Sequence, residues 1–579
     1  MPPSTDGQWA GHGTFNIAST TIDDGFGVTM PDTRGLFVLH AILLHTGKIL
    51  CFSGHVEISM YAPLYYLFDP AHPGALMAPI AFPGRPDLFC CHYVQLGDGR
   101  ILAAGGSQHD THAGAVVVYQ GSEGAKTIAA FDPAASAGAG QWTLSSSELA
   151  QGRWYPTIVL LPDGRAAVFS GRREHGSGVP NPSIADEVEV IDPSSLAPTT
   201  LTGATKALPI YPGLHLAKDG KIYFTHTCWG QEMPNPDTCS IAIGSGATSA
   251  SWKNYAGLKP PNPRREEGMS VPLPAVQDGK ILVIGGSKAL KSAANGNIGV
   301  LDGPPPYADA AFDHIENAAD PMSANILNTN TDPPTWSSAG TMAKGRTNGH
   351  CVLLPDATVF ICGGHNKYKW RPTAQTQPSL EGEIFKEGVG FRTVAAATDP
   401  RMYHSVALLL PDGRVWTAGG ANPNLSEPSP NPPHPYPAGW NPERQYGPGM
   451  AQNMKTFEFY EPPYMHNGPR PTITDVKRNN TSIRRIEYGK TFVITTSQAA
   501  SINAVALMRP GACTHHTDTE QRYVRLTFTK GTNLLNVTMV NDRNVAPPGY
   551  YMLWIVDSSG RPCERAVFVR LLVRGSSSP

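Results

Sequence analysis

A short hairpin signature recurs seven times along this chain, and a motif repeated in that number and spacing leaves few folds open. It is fullest at Arg401 to Gly420, RMYHSVALLLPDGRVWTAGG, where two apolar segments flank Asp412-Gly413. An Asp-Gly pair between two strand-like runs suits a two-residue hairpin turn whose residues need positive φ. The other copies are LHTGKILCFSGH from Leu44, LGDGRILAAGGS from Leu96, LPDGRAAVFSGR from Leu161, AKDGKIYFTHT from Ala217, VQDGKILVIGGS from Val276 and LPDATVFICGGH from Leu354. Turn-to-turn spacings run from 52 to 78 residues, which fits one four-stranded blade per repeat with connections of varying length. Seven repeats predict an all-β, seven-bladed propeller. Glycine pairs after the second strand, and tryptophans ahead of several copies (Trp142, Trp252, Trp336), are the pattern of kelch-type blades. A β-sandwich with chance turn similarity would not carry one signature seven times in series. A blade cannot bury both faces alone, so the ring must close, and residues near Trp9 are expected to pair with Phe457 to Tyr460.

The bulk chemistry narrows the function classes. Charged residues make up 16% of the 579 and the net charge is −2, so nothing points to nucleic acid or an anionic membrane surface. The 59 glycines and 54 prolines exceed average usage and read as turns rather than disorder. No apolar run reaches the ~18 residues needed to span a bilayer. The N-terminus, MPPSTDGQWAGHG, has neither a basic nor an apolar leader region; either the chain is cytoplasmic or a secretion signal has been removed. Nine cysteines without a CxxC pair are too sparse for a disulfide scaffold or structural zinc. Cys351 and Cys362 would face each other across a hairpin turning at Asp356-Ala357, as a cross-strand disulfide or as two small buried residues. There is no GxSxG and no HExxH, which sets aside serine and zinc hydrolases.

Two inserts break the rhythm: an Ala/Asn/Pro-rich stretch from Ser287 to Thr335, and Ala421 to Met450, which contains PSPNPPHPYP. Long connections inside compact domains are usually lids or disordered, and the second, leaving directly from the central motif, is expected to form a lid or rim. From about Gly468 the hairpin signature stops and seven short alternating strands follow, which predict an immunoglobulin-like β-sandwich. The expected division is a propeller over residues 1–465 and the sandwich over 466–579. Between the third and fourth strands of the latter lies a loop, Pro510 to Gln521, with Thr514-His515-His516.

In a propeller the same register in different blades points to the same part of the central channel. Eight residues before each turn position stand Val38, Cys90, Tyr155, Tyr211, Ser270, Asn348 and His404. A thiol, a phenol and an imidazole thus share one level, with Tyr403 beside His404. Nitrogen and oxygen donors of this kind suit Cu(II). A phenol ionises near pH 10, so its use as phenolate at pH 7 costs roughly 4 kcal/mol, which a divalent cation can supply. Each residue also has a plain structural role open to it: half-buried strand tyrosines, or core packing for Cys90 next to Cys91.

Seven kelch repeats followed by an Ig-like domain, with LFCCHYVQLGDGR, GRWYPTIVLLPDGR and RMYHSVALLLPDGR in that order, resemble the copper-radical oxidases, the galactose oxidase and glyoxal oxidase family. The resemblance implies one copper ion held by Tyr155, Tyr403, His404 and, from the second domain, His515, chosen over His516 by its spacing to Gln521-Arg522. It also implies a thioether between Cys90 and Tyr155 as the radical cofactor, with Tyr403 as general base. The implied reaction oxidises a small primary alcohol or an aldehyde and reduces dioxygen to hydrogen peroxide. Export, and a partner enzyme that uses the peroxide, are implied on the same ground.

The sequence also departs from galactose oxidase. Where that enzyme stacks a tryptophan over the thioether, the aligned residue is Arg173; Trp440 in the proline-rich insert and Phe89 beside Cys90 are other candidates to shield the ring. Tyr211 is followed by Pro212 where the family's galactose recognition uses an arginine, and the N-terminal carbohydrate module is missing. A glyoxal-type aldehyde or simple alcohol is therefore expected over a sugar, with Tyr211 lining the pocket. The competing class is a non-enzymatic kelch propeller that binds a protein or glycan through its loops.

Overall fold

The computed structural model describes residues 2–18, 21–23, 29–31, 36–52, 65–80, 82, 86–108, 124–173, 184–226, 237–261, 265–286, 322–366, 378–426 and 451–572. Seven sheets of hairpin-connected strands form a β-propeller, four strands in most blades. The ring closes as the sequence predicts: Gln8–Thr14 supplies the outer strand of the seventh blade, with Trp9 opposite Tyr460 and Gly13 opposite Phe457. Among the described residues no helix is long and apolar enough to cross a membrane.

The repeated hairpin turn differs from the expected two-residue type. In the seventh blade Gly413 N–H donates to the Leu410 carbonyl and Leu410 N–H to the Arg414 carbonyl, leaving Pro411, Asp412 and Gly413 in the loop. Only the glycine has positive φ, at 92°. This is a turn followed by a left-handed glycine bulge, and the Asp412 carboxylate closes it by accepting the Arg414 N–H. The sixth blade does the same with Ala357, at φ 63°. Its strands pair Cys351 with Ile361 and His350 with Cys362. The two thiols are offset by one residue and both are free, so there is no cross-strand disulfide here.

The glycine pairs mark where blades meet. Gly106, Gly286 and Gly364 donate their N–H groups to the carbonyls of Arg153, Arg346 and Arg401 in the next blade. A Cβ on the preceding Gly105 or Gly285 would stand 2.3 Å from the same carbonyl oxygens, so a side chain is sterically barred. The arginines themselves are buried. Arg153 donates to the Ser170 carbonyl and to Glu189, Arg346 to the Gly363 carbonyl and Glu383, and Arg401 to the Gly419 carbonyl while facing Glu458 at 3.6 Å. Each acid lies on its blade's third strand and also accepts a backbone N–H from the incoming connection, at Ala150, Ala343 and Thr398. A guanidinium fork thereby caps backbone carbonyls at the inner end of each blade's second strand.

Beyond the propeller, nine strands from Asp475–Arg478 to Val567–Leu572 join one sheet that curls on itself. All seven expected strands are present. The sheet curls into two halves joined by Tyr523–Gly531, which pairs through Val524 with Leu507 in one and through Phe528 with Val537 in the other. This sheet packs on the hairpin-turn face of the propeller. Tyr550 stacks on His45 at 4.0 Å, Arg570 donates to the Gly97 carbonyl, and Gln277 donates to the Arg525 carbonyl.

From that face one finger of chain enters the central channel. Ala512–Thr514 adds a strand to the first blade, Ala512 opposite Ile42 and Thr514 opposite His40. At its base Arg509 and Glu520, both buried, pair at 2.6 Å. Arg522 donates to the Leu216 carbonyl of the fourth blade and Gln521 to the Cys351 carbonyl of the sixth. Charge-assisted bonds to several blades fix the finger along the axis.

Candidate active site

The blades meet the channel mouth in strained backbone. Cys90, Tyr155, Tyr211, Glu267, Asn348 and His404, one from each of blades two to seven, have φ between 42° and 68°. A left-handed conformation costs a non-glycine residue about 1 kcal/mol or more, and such strain collects at functional sites. Backbone bonds link the members: Tyr155 N–H to the Cys90 carbonyl, Tyr211 N–H to the Tyr155 carbonyl, and Asn348 N–H to the Glu267 carbonyl. The sequence register therefore locates five of the six. In the fifth blade it points to Ser270, whereas the rim residue is Glu267. That hairpin closes at Leu273 and Lys280 with a loop longer than the others, so counting eight back from the turn stops three residues short.

Ser270 lies deeper, bonded to His215 Nε2 at 2.6 Å. Glu267 accepts a hydrogen bond from the Asn348 amide at 2.7 Å. Periodicity carried no signal for it.

Four donors and a thiol from four parts of the chain converge at this mouth. The Tyr155 and Tyr403 hydroxyls are hydrogen-bonded to each other. The His515 ring, at the tip of the finger, lies 4.7 Å from that of Tyr155, 5.6 Å from Tyr403 and 4.6 Å from His404. Tyr403 and His404 stack at 3.8 Å. Cys90 Sγ stands 3.6 Å from His515 Nε2. His516 faces the other way, 6.5 Å from His226.

Burial holds the His404 imidazole down at about 3. Burial, then the neighbouring His404 and His40, hold His515 well below its ordinary value. Both rings are neutral at pH 7 and offer a lone pair.

The donor set fits a copper ion. Among the described residues His404 Nε2 is buried without a hydrogen-bond partner, His515 Nε2 faces the same space, and two phenol oxygens complete an N2O2 set. Among the described residues no cluster of three or more His, Cys, Asp or Glu could hold a metal, so the phenols are needed to make up the number.

The wall around Tyr155 is aromatic. Trp154, which sequence reasoning passed over although it adjoins Tyr155, sets its ring 4.0 Å away at 60°. Arg172, exchanging two backbone bonds with Trp154, places its guanidinium 5.7 Å from the indole. Arg173 is half-buried, and it is its neighbour that reaches an aromatic ring. Tyr211 packs 4.4 Å from Tyr155 and 5.1 Å from His515, its hydroxyl donated to the Cys91 carbonyl. Phe89 is buried, edge-on to His404 at 6.1 Å. Trp440 and the proposed lid around it lie outside the described residues.

Comparison with known proteins gives a consistent result. Residues 291–435 match the glyoxal oxidase N-terminus family and residues 470–571 the galactose oxidase-like, early set domain. A galactose oxidase of Gibberella zeae is 26% identical over 487 residues, 83% of this chain and 60% of the relative. An aldehyde oxidase of Vitis pseudoreticulata is 24% identical over 489 residues, 81% of this chain and 80% of the relative. The chain thus spans about three fifths of the galactose oxidases it matches. Among solved structures, a fungal alcohol oxidase in complex with copper superposes with a TM-score of 0.69 at 22% identity, covering 98% of this chain and all of that one.

Proposed function

We propose that the chain is a mononuclear copper-radical oxidase of the galactose oxidase and glyoxal oxidase family. Its substrate is a small primary alcohol or a hydrated aldehyde of the glyoxal type, converted to the aldehyde or acid while dioxygen is reduced to hydrogen peroxide. The observation that carries this is the convergence of Tyr155, Tyr403, His404 and His515 on one buried point with Cys90 alongside. Those four would hold copper, and Cys90 with Tyr155 would form the thioether.

When bound, copper together with the crosslinked ring would supply two one-electron acceptors for the two-electron oxidation, with dioxygen as the final oxidant. Tyr403, hydrogen-bonded at its oxygen to Tyr155, acts as general base for the substrate hydroxyl proton. His404 and His515, held neutral by burial, need lose no proton to bind. Trp154 and Tyr211 cover Tyr155 and keep water from its ring.

A small substrate is favoured by the wall of blade four. The Tyr211 hydroxyl is committed to the Cys91 carbonyl, and Pro212 has no side-chain donor to offer a sugar. The proposal takes residues 1–465 and 466–579 as the two domains, with the finger as the second domain's contribution to the site. An extracellular place of action and a peroxide-consuming partner belong to it as well.

The test is copper loading under air, followed by reduction and peptide mapping of the segments holding Cys90 and Tyr155. One linked species, lighter by two hydrogens, together with peroxide release on small alcohols or aldehydes, is expected. Separate unmodified peptides despite bound copper would leave a propeller that binds a protein or glycan.

A further inference from the structure

We propose that Thr514 is a positioning residue for the metal centre: its hydroxyl fixes His515 as the Nδ1-protonated tautomer and directs the Nε2 lone pair at Tyr155 and Tyr403. The inference rests on the copper-oxidase proposal above. Thr514 is fully buried on the channel strand, opposite His40. Its Oγ1 stands 3.1 Å from the Leu39 carbonyl and 2.7 Å from His515 Nδ1. A carbonyl can only accept, so the single hydroxyl proton goes to Leu39. The oxygen is then left to accept, and Nδ1 must carry the ring proton.

The other edge of the ring is compatible with this. Cys90 Sγ lies 3.6 Å from Nε2, and with the ring proton on Nδ1 the free thiol donates and Nε2 accepts. The adjacent histidine supplies the contrast. Among the described residues both ring nitrogens of His516 are buried without a hydrogen-bond partner, so none of these residues selects its tautomer or its direction. Of two neighbouring imidazoles on one finger, the hydroxyl singles out the one that presents an oriented lone pair to the site. Ligating histidines depend on such partners for orientation and basicity.

The experiment measures Cu(II) dissociation by chelator competition, with the nitrogen hyperfine pattern in the electron paramagnetic resonance spectrum, on wild type, Thr514→Val, Thr514→Ser and His515→Ala. Thr514→Val is expected to bind copper roughly 10- to 100-fold more weakly with altered hyperfine structure, while Thr514→Ser stays close to wild type. Unchanged affinity and spectrum in Thr514→Val overturn the proposal. So does a Thr514→Ser variant as weak as Thr514→Val, since packing of the methyl group would then be the cause. Undiminished copper binding in His515→Ala overturns this proposal and the copper assignment together, whereas failure of Thr514 alone leaves the oxidase proposal standing. Nitrogen-15 histidine spectra of copper-free wild type read the tautomer without any substitution: an Nδ1-protonated His515 supports the proposal and an Nε2-protonated one overturns it.

Discussion

Tyr155 and Tyr403 are 248 residues apart in sequence, yet their hydroxyl oxygens share a hydrogen bond, and their roles in the proposed chemistry can be separated. Tyr155 needs a ring beside Cys90, whereas Tyr403 needs only a basic oxygen. Tyr403→Phe is therefore expected to lower kcat for peroxide release by about 10²- to 10⁴-fold, the range for loss of a general base. The Cys90–Tyr155 crosslink should still form under copper and air. Peroxide assay at saturating substrate and peptide mapping check the two halves, and wild-type turnover in the variant would remove Tyr403 from the mechanism.

At this scale Cys90, Tyr155, Tyr403 and His404 were legible because each sits at a fixed distance from a turn that recurs seven times. Glu267 was hidden by a longer hairpin loop, and Trp154 by being an ordinary aromatic in a strand. The hydroxyl of Thr514 was read as part of a spacing motif. What it bonds to depends on a strand pairing with His40 that no local pattern announces.

The hairpin turn is the element whose composition carries the fold, and the quoted copy that lacks its glycine makes a prediction. Ala357 occupies the left-handed position that glycine fills in the other copies quoted above. A side chain there costs about 1 kcal/mol or more, offset in part by the greater freedom of glycine in the unfolded chain. Ala357→Gly should leave stability unchanged or raise it by up to about 1 kcal/mol in urea unfolding, and Gly413→Ala should lower it. A destabilised Ala357→Gly would mean that the methyl group packs more tightly than the backbone is strained. The glycine pairs were legible as a blade mark, but their partners, the arginine carbonyls of the next blade, were not.

Nor were the arginines themselves, since a lone arginine before a strand gives no sign that a glutamate 36, 37 or 57 residues later will be buried with it. Arg346 and Glu383 are both fully buried at 3.2 Å, and removing one partner strands the other. Arg346→Met should cost about 3–5 kcal/mol. Arg346→Met combined with Glu383→Leu should recover much of that loss. Without recovery, the backbone carbonyls that Arg346 caps would outweigh the ion pair.

The whole molecule is a ring of blades plugged along its axis, and the plug is lined with histidine. His92 comes from the second blade, His215 and His226 from the fourth, and His350 from the sixth, all buried. Burial lowers each of the four to about 3, with the neighbouring His226 and Arg522 adding to the effect at His215, and Arg265 at His226. In the unfolded chain they would titrate near 6.5. Between those values the unfolded state binds more protons, so the stability they confer is full above pH 6.5 and is lost as pH falls towards 3. At pH 5 each neutral imidazole forfeits about 2 kcal/mol.

Asp518, inside the finger, runs the other way. Burial raises it to about 7, so its contribution is full below about 3.8 and declines as pH rises towards 7. Four groups against one make acid the weak side. The copper-free protein should therefore be markedly less stable to urea at pH 5 than at pH 7. His226→Gln should flatten the slope between those two pH values by up to about 1.4 kcal/mol per pH unit, one proton's worth. An unaltered slope in that variant would mean that the His226 imidazole takes up a proton without unfolding the channel. The axis would then admit water, and the finger that carries His515 would have to be held by its arginine anchors rather than by a dry, packed interior.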